Sequence, residues 1–147
     1  MWHELIQNFI TELTPQMWQM VGKSTFETVY MGLASTLVAA LVGLPLGFLA
    51  FLTGPGRILQ NPKLSAFLDV VINVGRSVPF IILLIILLPV TRLLVGTTLG
   101  TTAAIVPLSV TAIPFVARLT ANALAEIPSG LTEAAHAMGA SNWQIIS

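Results

Sequence analysis

Aspartate, asparagine and arginine recurring at helical spacing inside apolar sequence are the residues of this chain whose side chains could bind or guide a solute. Ser65, Asp69, Asn73 and Arg76 fall at successive offsets of four, four and three, which makes one polar stripe on an otherwise apolar helix. Thr111, Arg118, Asn122 and Glu126 share a face in a later segment. Charges at or near membrane depth face protein, water or one another rather than lipid. The first stripe therefore either lines a cavity or packs against another helix, and the spacing serves both readings equally. Arg118 and Glu126 lie two turns apart with Asn122 between them, which suits a hydrogen-bonded ladder against a neighbouring subunit or a solvated helix end. Bond-making chemistry finds no residues. His3 and His136 fit no common metal motif, there is no cysteine, no serine sits in a nucleophile elbow, and no paired carboxylates occur. No metal and no cofactor is expected.

A second set of residues suits contact. Pro128 stops the helix before it, and Ser129 or Thr132 can cap a new, short one. Along that helix Leu131, Ala134, Ala135 and Met138 fall at i, i+3, i+4 and i+7, one small and smooth face with an adaptable edge at the methionine. Glu133 stands beside it, and Gly139 is placed to end the helix in the left-handed conformation. Ser141 with Gln144 three residues on is a capping-box signature for a further helix. The result is a helix–turn–helix elbow over 129–140.

The composition says where these residues must work. Of 147 residues, 55% are apolar and 8% charged, and mean hydropathy is +0.89. A soluble domain is about a quarter charged, so the expected class is an all-α integral membrane protein. The formal net charge is zero and no basic run occurs, so nucleic acid is not an expected partner. The N-terminus has no charged region leading into an apolar core and a small-residue cleavage site, so no cleaved signal is expected.

The elements follow in order. Residues 1–23 form an amphipathic segment in which Trp2, Leu5, Ile6, Phe9, Ile10 and Leu13 recur at helical spacing before Pro15, with Trp18 beyond. This suits a helix lying on the membrane surface, in contact with lipid. Residues 24–147 form the membrane domain. Its first span runs from Phe26 to Leu52, with Gly32, Ala39, Gly43 and Gly47 as a small-residue packing stripe and Pro45 as a bend. Thr53 to Gly56 turns, and Arg57 and Lys63 make the linker basic. The polar-striped helix from Ser65 ends in a break at Val78-Pro79, which opens a uniformly apolar second span, Phe80 to Val95. A Gly/Thr-rich turn at 96–102 leads to a third span from about Ala103, carrying Pro107 and Pro114.

Glu133-Ala134-Ala135, three residues more, and Gly139 resemble the E-A-A-x-x-x-G loop of permease subunits of type I ABC importers. Arg76-Ser77-Val78-Pro79-Phe80, Ala104 to Leu108, Ile113 to Arg118, and Asn122-Ala123-Leu124 with Glu126-Ile127-Pro128 look like the methionine-uptake branch of that family. The similarity covers residue 25 to the end. It implies part of a five-span fold, here about three spans with an interfacial helix and a cytoplasmic coupling helix. The family's loop continues to an I-x-L-P element and two further spans, so the chain is expected to be a fragment of a longer subunit.

The resemblance also implies alternating access in the inner membrane. Two permease copies would line a path for D- or L-methionine, a substrate-binding protein would deliver it, and an ATP-binding subunit would supply the energy and hydrolyse the ATP. Leu131, Ala134, Ala135 and Met138 would dock on that subunit, with Glu133 at its rim and Gly139 setting the elbow angle. The N-terminus and the 96–102 turn are expected outside, the 54–63 turn and the elbow inside. Loop charge supports this weakly. A different class remains open: a small self-associating membrane protein without transport, joined through the glycine stripe of the first span.

Overall fold

The computed structural model describes residues 1–12 and 15–146, and every regular element among them is a helix. In chain order these are α1 (Trp2–Glu12), α2 (Pro15–Leu52), α3 (Pro62–Ser77), α4 (Phe80–Val95), α5 (Thr101–Ala125), α6 (Ser129–Ala137) and α7 (Asn142–Ile146). Two of them, α2 and α5, are long and apolar enough to cross a membrane. The pair α3 and α4, bent by 106°, makes a third crossing if it counts as one broken span.

α5 is the centre, with α2, α3 and α4 all packed against it. The contacts give the directions. Gly43 of α2 meets Ile113 and Val116, and Gly47 meets Ala117 and Thr120, so α2 and α5 run parallel. Asp69 reaches Arg118 and Gly75 reaches Pro114, so α3 runs antiparallel to α5. The bent pair α3–α4 connects these two parallel helices.

The α2–α5 seam is made by residues with almost no side chain. Ser35, Ala39, Gly43 and Gly47 recur every fourth residue and are all buried. A Cβ built on Gly43 would lie 2.8 Å from the Cβ of Val116 and 2.9 Å from the carbonyl oxygen of Ile113. One on Gly47 would run into the Ala117 carbonyl. Between apolar helices in lipid, such close backbone approach supplies the packing that the hydrophobic effect cannot. Ser35 turns its hydroxyl back to the Met31 carbonyl at 2.6 Å, so it enters the seam with its donor satisfied. Two expectations change here. Gly32 is exposed with nothing within 4 Å, and Ser35 takes its place in the stripe. The stripe is also covered by the chain's own α5, so it is not free to join two copies, and the self-associating reading loses its surface.

The amphipathic segment divides differently from the expected boundary at residue 23. α1 ends at Glu12, and Pro15 opens α2, so 15–23 belong to the helix of the first span. Proline suits the first helical turn, where its missing N–H is not needed. At 38 residues, α2 is about 57 Å long, well beyond the ~30 Å hydrocarbon layer. Its first turns carry the Lys23–Glu27 ion pair at 3.9 Å. Trp2, Leu5 and Ile6 of α1 are exposed, as are its other described side chains. The side chains of Phe9 and Ile10, and all of Leu13, lie outside the described residues.

α3 starts three residues before Ser65, at Pro62, with Asn61 as its cap accepting from the Leu64 N–H at 3.2 Å. Val78 and Pro79 separate it from α4, as the Val-Pro pair predicts. α4 carries exposed Ile81, Ile85, Ile86, Leu93 and Leu94, a surface suited to lipid. It ends on Gly96 with φ +82°. Pro45, Pro89, Pro107 and Pro114 all lie inside continuous helices.

Candidate functional site

Arg118 joins the two polar stripes. It projects from α5 towards α3, where its guanidinium donates to the Asn73 side-chain oxygen at 2.7 Å and lies 3.4 Å from the Asp69 carboxylate. Asp69 and Asn73 are one helical turn apart, so a single forked cation can engage both. Among the described residues, Arg118 pairs across to α3 rather than along to Glu126.

The α3 stripe itself divides. Ser65 is buried with Leu68 and Ile72 on the face that packs inward, and Asp69 and Asn73 run along its margin. Gly75 continues the packed face, and the sequence reading did not single it out. A Cβ there would stand 2.5 Å from Cγ of Pro114. Its offsets of ten, seven and three from Ser65, Leu68 and Ile72 are the signal that could have found it.

Beyond Asn73, Arg76 borders a recess of about 330 Å³ that it shares with Phe115, Arg118, Leu119 and Asn122. Arg76 has no hydrogen-bond, ion-pair or ring partner among the described residues. Thr111 does not reach this group, because its hydroxyl bonds the Pro107 carbonyl of its own helix.

The elbow has the backbone geometry its sequence implies. Gly139 has φ +87°. Its N–H donates to the His136 carbonyl at 2.9 Å, and the Ala140 N–H donates to the Ala135 carbonyl at 3.0 Å. This pair of bonds is a Schellman stop, in which a left-handed glycine returns the chain onto the last free carbonyls. The capping box is reciprocal: the Ser141 N–H donates to Oε1 of Gln144 at 2.9 Å, and the Gln144 N–H donates to Oγ of Ser141 at 3.4 Å. The helix start differs from expectation. Pro128, extended at ψ 132°, holds the cap position of α6, and neither Ser129 nor Thr132 does. With no donor of its own and φ already near −60°, proline fixes the entry without a side-chain bond.

Leu131, Ala134 and Met138 are exposed, while Ala135 is partly covered. The face is thus presented outward, with Leu131 at 63% and Met138 at 83% exposure. On the other side of α6, Thr132, Glu133 and His136 face the end of α2 and its turn across a cavity of about 220 Å³. Phe51, Gly56 and Arg57 line the opposite wall, with the Arg57 guanidinium 4.2 Å above the Phe51 ring. The elbow and the 53–58 turn therefore lie at the same end of the molecule. No group of histidine, cysteine or carboxylate side chains among the described residues could hold a metal ion.

Comparison with known proteins agrees with this arrangement. A probable D-methionine transport system permease protein MetI of Pasteurella multocida is 71% identical over 135 residues, covering 92% of this chain and 62% of the relative. The D-methionine transport system permease protein MetI of Escherichia coli K12 is 48% identical over 132 residues, covering 90% of this chain and 60% of the relative. Among solved structures, a chain of the MetNI methionine ABC transporter in an inward-facing conformation superposes with a TM-score of 0.86 at 46% identity, over 90% of this chain and 62% of that one. The chain thus spans about three fifths of the length of the proteins it matches. Residues 43–147, which hold Gly43 and Gly47 of the seam, the bent α3–α4 pair and the elbow, match the family described as binding-protein-dependent transport system inner membrane component, and the chain belongs to that family.

Proposed function

We propose that this chain is the membrane-spanning permease part of an ATP-driven importer that takes D- or L-methionine across the inner membrane. The observation that carries the coupling role is the elbow: a short helix, stopped by a left-handed glycine, that turns Leu131, Ala134 and Met138 away from the chain's own body. An exposed apolar knob on a rigid turn is a surface for another protein. The partner is an ATP-binding subunit that carries out the hydrolysis. Its closure moves α6, and the short connection from α6 back to α5 passes the movement to the helices packed on α5 as a largely rigid-body shift. Glu133, exposed on the side of α6 that faces the end of α2, offers a charge to a partner that reaches around the knob. A second permease copy completes the path, and a substrate-binding protein delivers methionine on the outer side. Lipid covers the outward face of α4.

The names of the relatives support the substrate, and the elbow geometry supports the coupling. The test is uptake of labelled methionine by the full-length subunit, co-expressed with its ATP-binding and substrate-binding proteins in vesicles. ATP-dependent uptake is expected, together with co-purification of the ATP-binding protein in mild detergent. Uptake of other solutes with methionine excluded would overturn the substrate. Absence of any co-purifying ATPase would overturn the coupling.

A further inference from the structure

Among the described residues, Arg76 is a cation without an anion. It sits in the last turn of α3, directly after Gly75, which packs on Pro114 near the middle of α5. That places it at mid-height along the apolar helix α5 rather than at either end of that helix. A charge at that depth does not face hydrocarbon; it faces water or an opposite charge. Arg118, its neighbour across the recess, already has Asp69 and Asn73. The two arginines and Asp69 together leave one positive charge uncompensated among the described residues. The last turn of α3 gives Arg76 the negative end of a helix dipole, which favours the cation but amounts to only about half a charge.

The recess is mixed in character. Arg76, Arg118 and Asn122 offer donors, while Phe115 and Leu119, each more than half exposed, form an apolar wall. Its volume, about 330 Å³, lies at the small end of ligand pockets, roughly 300–1,000 Å³. Paired guanidinium and amide donors match the two oxygens of a carboxylate, and the wall beside them suits an unbranched apolar side chain.

We infer that Arg76, with Arg118 and Asn122, forms a carboxylate-binding station at which the transported amino acid pauses, its side chain against Phe115 and Leu119. This rests on the transport reading above. Arg118 is held in place by α3, whereas Arg76 is free to close on the ligand. Asp69, on the far side of Arg118, keeps the net charge of the station at one, so that a carboxylate is attracted and is still able to leave. An anionic lipid headgroup offers similar oxygens, and the test separates the two sources.

The experiment uses the assembled full-length transporter in vesicles under ATP turnover, with a diazirine analogue of methionine as the probe. Irradiation followed by peptide mapping is expected to place label between Phe115 and Asn122. Excess methionine should compete, and methioninamide, which lacks the carboxylate, should not. Arg76→Gln is expected to reduce that label at least tenfold and Arg76→Lys only partly, with assembly checked by co-purification. Label found only elsewhere, or label insensitive to Arg76→Gln, would overturn the station. Loss of label when phosphatidylglycerol replaces a zwitterionic lipid would give the site to a headgroup and overturn the substrate assignment. Failure of the wild-type vesicles to take up methionine would instead remove the transport reading, so the two failures are distinct.

Discussion

Gly75 of α3 lies against the ring of Pro114 of α5, so close that a methyl group on residue 75 would meet Cγ at 2.5 Å and Cβ at 3.1 Å. Both atoms belong to a rigid ring in a buried residue. Neither partner can swing away as a long side chain would. The contact fixes the height of α3 on α5 and, through it, places Asp69 and Asn73 opposite Arg118.

Gly75→Ala is therefore expected to destabilise the α3–α5 pair by about 1–3 kcal/mol, the usual range for overpacking. Gly47→Ala should behave similarly, because the added methyl runs into the Ala117 carbonyl. Gly32→Ala, where nothing lies within 4 Å, should be neutral or slightly stabilising. Thermal unfolding of the full-length subunit in one detergent compares the three. Equal melting temperatures for Gly75→Ala and Gly32→Ala would remove the steric argument.

Gly139 makes a prediction about backbone rather than space. Nothing lies within 4 Å of its absent side chain, so only φ +87° opposes substitution. Gly139→Val should cost about 1–2 kcal/mol or more and misdirect the docking face. Gly139→Asn, which tolerates the left-handed region better, should retain more co-purifying ATPase and more uptake. Ala134→Ser should be mild. Glu133→Lys should weaken the partner contact by charge while leaving the elbow folded. Normal uptake by well-expressed Gly139→Val would remove the coupling role.

The Arg118 bridge predicts an asymmetry. Arg118→Met loses the bonds to both Asn73 and Asp69, and leaves Asp69 without its cation. Asp69→Asn leaves Arg118 still bonded to Asn73. Interhelical polar contacts in membranes contribute about 0.5–2 kcal/mol, so Arg118→Met should be the worse by roughly that margin. A double-mutant cycle on unfolding midpoints measures the coupling, and a zero interaction term would show the bridge to be incidental.

Topology can be read with two cysteines, since the chain has none of its own. Pro55 and Leu99 lie in the two turns and are both exposed. Pro55→Cys is preferred to a change at Gly56, whose φ of +70° disfavours a side chain. An impermeant thiol reagent added outside should label Leu99→Cys and spare Pro55→Cys. The opposite pattern would invert the orientation and detach the elbow from a cytoplasmic partner.

Local chemistry settled much of this protein before any tertiary contact was considered. The left-handed stop at Gly139 and the Ser141–Gln144 box involve residues within a few positions of one another, so their types and spacing suffice. The same holds for the break at Val78-Pro79, where proline's ring acts on its neighbour. The apolar lengths of the spans follow from composition alone. What stands opposite a helix face is a different kind of question. The stripe from Ser65 to Arg76 could line a cavity or pack, and the structure answers both ways: Ser65 packs, Asp69 and Asn73 engage Arg118, and Arg76 borders an open recess. Ser35 replaces Gly32 in the seam because α5 crosses α2 at one angle and one height, which no periodicity within α2 specifies. Arg118 turns to α3 rather than along its own helix because Gly75 and Pro114 let the two backbones approach. Those choices depend on partners far apart in the chain, such as Asn73 and Arg118 at a separation of 45 residues. Only the folded arrangement of α2, α3 and α5 makes them.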